Sequence, residues 1–147
     1  MPAKTDVVER ELVIAADAER VWHALVDDDL LGAWLEAEAR IDPRPGGEVA
    51  IEFEDGHVRV GEVQEAEHGQ VLRWRWHAEG ANADGALGVE TQVAIELTRE
   101  GDATRVRVRE TGFAASGTRA AGFAAAAGWA WDVLLATLAL ATALALV

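Results

Sequence analysis

The side chains able to do chemistry in this 147-residue chain are few, and their spacing excludes most reactions. Its four histidines are His23, His57, His68 and His77, none four residues from another, so the two-histidine helical metal site has no starting pair. Cysteine is absent, which removes thiolate ligands, disulfides and cysteine nucleophiles together. Ser116 is the sole serine, in "AASGT", without the G-x-S-x-G elbow of a serine hydrolase, and a turn or capping role accounts for it. The glycines of "RPGG" and "EGANADGALG" lack the phosphate-loop pattern. No metal and no cofactor is therefore expected.

Two carboxylates remain. Glu62 shares strand parity with Val58 and Val60, and Glu110 with Val106 and Val108, so alternation aims both at an apolar interior. A buried carboxyl holds its proton more tightly and can act as a proton donor or orient a ligand. A bulge at Gly61 would turn Glu62 outward. Around them, Trp34, Trp74 and Trp76 supply flat apolar area, and Phe53, Val60, Ile95 and Val108 fall on the apolar parity of their strands. Aromatic and aliphatic walls with a few polar groups are what an apolar ligand requires. Trp22 and Trp129 read as core packing.

The elements that position these groups follow from periodicity. "DVVERELVIAA" alternates as a first strand with Val8, Leu12 and Ile14 on one side, interrupted by Arg10. Asp17 is an N-cap for a helix through "AERVWHALV", the acidic run Asp27 to Asp29 ends it, and Asp28 or Asp29 caps a second short helix through "LLGAWL". From Glu36 to Thr111 the period is two. "EAEARID", "EVAIEFE", "VRVGEVQEAE", "QVLRWRWHAE", "VETQVAIELTRE" and "ATRVRVRET" are strands, and Asp55-Gly56 marks the clearest hairpin turn. Arg105, Arg107 and Arg109 alternate outward and can face Glu90 and Glu96 across an antiparallel pair. One face of the sheet is thus wet and the other needs cover.

The only element long enough to cover it is the last third, rich in Ala and Leu, which predicts a helix from about Arg119 to the end, capped by Thr118 and roughly 42 Å long. At 100° per residue its large side chains divide between two arcs. Trp131, Leu134, Leu135, Leu138 and Leu146 occupy one, and Trp129, Val133, Leu140 and Leu144 the other. One arc covers the sheet. The second asks for a partner, so a homodimer through Val133, Leu140 and Leu144 is expected. A membrane span is disfavoured, because the run after Asp132 has fifteen uncharged residues where about 20 are needed.

Bulk properties agree with a single domain over residues 1–147. Half the residues are apolar and 27% charged, as in ordinary soluble chains. A formal charge of −13 argues against a nucleic-acid partner. "MPAKTDVVERELVI" lacks the apolar core of a secretory signal, which makes the cytoplasm the expected compartment.

The order of strand, two helices, six antiparallel strands and long helix predicts an α+β fold of the helix-grip type, a curved sheet of six to seven strands wrapped around a C-terminal helix. In that order "ADAERVWHALVDDDLLGAWL", "DPRPGGEVAIEFEDG", "GEVQEAEHGQVLRWRWH", "TRVRVRETGF" and "GWAWDVLLATL" resemble the START-like (SRPBCC) superfamily. More narrowly they resemble homologues of the heat-shock-protein-90 ATPase activator and its C-terminal domain. The resemblance implies a cavity between sheet and helix for a small hydrophobic or amphipathic molecule. It leaves open a cyclase or dehydratase using a cavity carboxylate, or a regulatory protein that binds a partner through the exposed helix face. The co-chaperone carries this domain behind a separate N-terminal domain for which the chain has no room. A last helix more apolar than the family pattern sets this chain apart.

Overall fold

The computed structural model describes residues 7–54, 56–79, 90–113 and 120–144, with side chains of the last helix described over 124–142. Strand β1 (Val7–Ile14) leads into helices α1 (Ala18–Val26) and α2 (Asp28–Leu35). Then come β2 (Ala37–Ile41), β3 (Glu48–Phe53), β4 (Val58–Glu67), β5 (Val71–Glu79), β6 (Thr91–Glu100), β7 (Ala103–Thr111) and helix α3 (Ala120–Leu144). The strands form one antiparallel sheet in the order β1-β7-β6-β5-β4-β3-β2. This is the α+β helix-grip architecture that the order of elements predicts. The proposed cap Thr118 and Ser116 lie outside the described residues, as does Leu146.

Local chemistry sets the helix boundaries. Asp17 caps α1 by accepting from the Arg20 amide at 2.9 Å. Asp27 caps α2 by accepting from the Leu30 amide at 3.0 Å, one residue earlier than the expected Asp28 or Asp29. Asp28 is occupied elsewhere, accepting from the Ile41 amide at 2.9 Å and so tying α2 to β2. Glu36 ends α2 in the left-handed region at φ 55, which turns the chain sharply into β2.

Alternation determines which face of each strand is buried. Leu72, Trp74 and Trp76 of β5, Val93, Ile95 and Leu97 of β6, and Val106 and Val108 of β7 all face the core beneath α3. Trp131, Leu135 and Leu138 of α3 close over them. On the wet face, Arg105 meets Glu11 and Glu100, and Arg107 lies near Glu9 and Glu11. The expected opposition of arginines to β6 survives in register as Glu96 opposite Arg107, but β1 supplies most of the carboxylates because it is the other neighbour of β7. Arg10, which breaks the apolar side of β1, bonds Asp132 of α3 through Nε at 3.0 Å. Gly128 makes room for it, since a Cβ there would press on the guanidinium. The pair anchors the helix to the first strand.

One register differs from expectation. A two-residue turn at Asp55-Gly56 would set Val58 opposite Phe53 and Val60 opposite Ile51, with both valines inside. Instead the Phe53 amide donates to the His57 carbonyl at 2.8 Å, so three residues separate the strands, and Gly56 takes φ 85. The pairs become Ile51 with Arg59, Val49 with Gly61 and Glu48 with Glu62. A slip of one residue reverses every side chain of the strand. Arg59, Gly61 and Val63 therefore face inward, and Val58, Val60 and Glu62 outward. Gly61 is no bulge. It sits in register opposite Trp76, where a Cβ would collide with the Arg75 carbonyl, and the irregularity of β4 comes later, between Val63 and Glu65.

Candidate functional site

Between the sheet and α3 lies a cavity of about 480 Å³, within the range of small-molecule sites. Its origin is compositional. Ala126, Ala127 and Ala130 are among the α3 residues that line it, and short side chains over a concave sheet leave volume that larger ones would fill. Leu35, Phe53, Phe113, Trp131, Val133 and Leu134 give it apolar walls, with Trp76 across the floor. Trp129 stands at its edge, 71% exposed. The sequence reading of Trp129 as core does not hold, because its α3 position faces away from the sheet.

Polar groups are few and clustered. Glu110 is 5% exposed at the end of β7. Its Oε1 accepts from Trp131 Nε1 at 2.9 Å, while Oε2 accepts from Trp76 Nε1 at 3.1 Å and from the Thr91 hydroxyl at 2.6 Å. Trp76 Nε1 also lies 3.1 Å from Thr91 Oγ1. One carboxylate thus links β5, β6, β7 and α3, and three donors satisfy a group that would otherwise be costly to bury. Arg59 faces the same space, its guanidinium carbon 4.5 Å from the centre of a Trp76 ring. Burial draws its pKa below the ordinary arginine value, and the charge of Glu110 opposes that shift. Arg59 Nε is buried with no hydrogen-bond partner among the described residues. His57, stacked on Phe53 at 5.3 Å and 23°, completes that wall.

The residues singled out from sequence divide into three groups. Phe53, Trp76 and Glu110 line the cavity. Trp34, Trp74, Ile95 and Val108 are buried core away from it. Trp34 donates to the Ala24 carbonyl at 2.9 Å, fixing α2 to α1, and Trp74 meets Trp76 edge-on at 5.6 Å. Val60 and Glu62 are on the opposite face, where Glu62 bonds Arg75 at 2.5 Å, because the longer β3–β4 loop shifts the register.

Of the three helix residues assigned to a partner, Val133 is 46% exposed and lines the cavity as well, and Leu140 is 60% exposed. The Leu144 side chain lies outside the described residues. Sequence reasoning missed Arg59, because "VRV" reads as two inward valines about an outward arginine. It also missed Thr91 and placed Trp131 only as sheet cover. The alternation that put Glu110 and Trp76 inside was the signal pointing to this cluster.

Comparison with known proteins places these features in context. A family model described as Activator of Hsp90 ATPase homolog 1-like protein matches residues 15–139. The crystal structure of protein MLL2253 from Mesorhizobium loti superposes with a TM-score of 0.80 at 27% identity, covering 92% of this chain and 95% of that one. CalU16 from Micromonospora echinospora superposes at 0.73 with 21% identity over 92% and 75% of the two chains. An HSP90 activator from Plasmodium falciparum does so at 0.60 with 16% identity over 73% of each. The last two show likeness of fold alone. No curated protein matches the sequence.

Proposed function

Since the chain belongs to the family of Activator of Hsp90 ATPase homolog 1-like proteins, whose fold leaves a space between sheet and helix, we propose that it binds a small apolar or amphipathic molecule there. The compartment proposed is the cytoplasm. The observation that carries the reading is the cavity of about 480 Å³, walled by aromatic and aliphatic groups and holding the Arg59, Thr91 and Glu110 cluster. Apolar area supplies affinity in such a site and the few polar groups fix orientation. An acid–base enzyme has less support. Glu62 is on the far face, and both oxygens of Glu110 already accept from fixed donors.

The test uses Nile red, a neutral fluorophore that brightens in apolar surroundings. The wild-type chain is expected to bind it saturably, and Ala127→Trp or Ala130→Trp, which fill the cavity, to weaken binding at least tenfold with the circular dichroism spectrum unchanged. Equal binding by the filled variants would remove the cavity as the site.

A second reading concerns α3. Trp129, Val133 and Leu140 form an exposed apolar stripe that continues into the cavity edge. The one charged residue over 124–142, Asp132, is paired with Arg10. A stripe without charge is complementary to itself, and we propose a second copy of this chain as its occupant. Sedimentation should give a dimer mass that Leu140→Lys returns to monomer. A monomeric wild type would refute this. Flotation with neutral phosphatidylcholine vesicles would instead assign the exposed stripe to a bilayer surface; Ala124–Thr142 could cross one by length and composition alone, but its Trp131, Leu135 and Leu138 are buried against the sheet.

A further inference from the structure

Glu110 and Arg59 are charged groups of opposite sign in the cavity wall, where the exposed Glu36 is a further carboxylate, yet their bonding differs. Both Glu110 oxygens accept hydrogen bonds, from Trp76, Thr91 and Trp131. Among the described residues no hydrogen bond or ion pair reaches Arg59, and its Nε is buried without a partner. A guanidinium has five N–H donors in a fixed fork suited to a carboxylate. Leaving Nε without a partner in an apolar wall is costly, and Glu110 relieves that cost only through space.

Resting on the reading of the cavity as a ligand site, we propose that its ligand is a planar ring compound bearing an acidic oxygen, a carboxylate or phenolate, that pairs with Arg59. The ring is accommodated by flat walls. Phe53 stacks with His57 at 23°, and Trp76 lies under the guanidinium. The volume of about 480 Å³ leaves room for a fused-ring compound. Attraction of the acid is local and not a property of the whole molecule, since the chain carries a formal charge of −13, which repels anions at long range. A charge-assisted bond from Arg59 would supply the missing partner and hold the acidic end at the sheet, with the ring toward α3.

The experiment compares two probes of equal shape at pH 7 by calorimetry, 2-naphthoate and its neutral isostere 2-naphthamide. The wild-type chain is expected to favour naphthoate at least tenfold. Arg59→Met, similar in length and uncharged, should bring the ratio near one, and Arg59→Lys should retain part of it. Equal affinities in the wild type, or a preference that survives Arg59→Met, would overturn the inference. Because the wild-type ratio needs no variant, a misfolded mutant does not rescue it. Saturable Nile red binding with neither naphthalene probe bound would sink the acid specificity alone, whereas loss of all three would sink the ligand site with it.

Discussion

Glu110→Gln isolates the group on which the cavity wall is built. The carboxylate presents two acceptor oxygens, one serving Trp131 and the other serving Trp76 and Thr91. An amide keeps one oxygen and replaces the other with a donor. If the oxygen stays with Trp76 and Thr91, the new NH₂ confronts Trp131 Nε1, and a buried N–H loses its partner at a cost of about 1–3 kcal/mol. The remaining bonds weaken from charged to neutral, and Arg59 loses the nearby opposite charge that offsets part of its burial. Together these give a destabilisation of about 2–4 kcal/mol, a large share of a total stability of about 5–15 kcal/mol. At about 2–4 °C per kcal/mol for a chain of this size, Tm should fall by about 5–15 °C. The assay is thermal and urea unfolding of the wild type, Glu110→Gln, Trp131→Phe and the double variant. Since Trp131→Phe removes the donor that the amide strands, the double variant should be less destabilised than the sum by about 1–2 kcal/mol. A Glu110→Gln protein that melts within a degree of wild type, or a strictly additive cycle, would refute the reasoning.

Glu62→Gln should change stability by less than about 1 kcal/mol in urea unfolding and leave Nile red affinity unaltered, because its partner Arg75 is on the exposed face; a loss of probe binding would return Glu62 to the cavity. Trp34→Phe strips the buried Ala24 carbonyl of its donor and should cost about 1–3 kcal/mol, again with probe affinity retained. Gly61→Ala drives a Cβ into the Arg75 backbone and should lower Tm by more than Glu62→Gln does, with a normal melting curve counting against the assigned register. Asp42 is held below its ordinary value by the Arg44 guanidinium, bonded at 2.7 and 2.8 Å. The small stabilisation is therefore complete above the ordinary carboxylate pKa of about 3.9 and fades as pH falls through the lowered one. Arg44→Ala should raise the Asp42 midpoint in a carboxyl NMR titration, and an unmoved midpoint would assign the shift to another cause.

Much of this protein was legible in its residues because the relevant forces are local. Asp17 caps a helix through an amide three residues on, and Leu72, Trp74 and Trp76 share a face because successive strand residues alternate. The same alternation put Glu110 inside, and the 3.6-residue period separated Trp131, Leu135 and Leu138 from Trp129, Val133 and Leu140. Other outcomes needed the chain closed on itself. One extra residue in the β3–β4 loop exchanged Arg59 for Glu62 on the inner face, and no pattern within "VRVGEV" reports the length of that loop. The cavity is likewise a difference between the volume enclosed by a bent sheet and the volume that Ala126, Ala127 and Ala130 fail to occupy. Periodicity is a property of neighbours along the chain and is written in the sequence, whereas register and empty space are properties of surfaces brought together from distant segments, and the tertiary structure decided them.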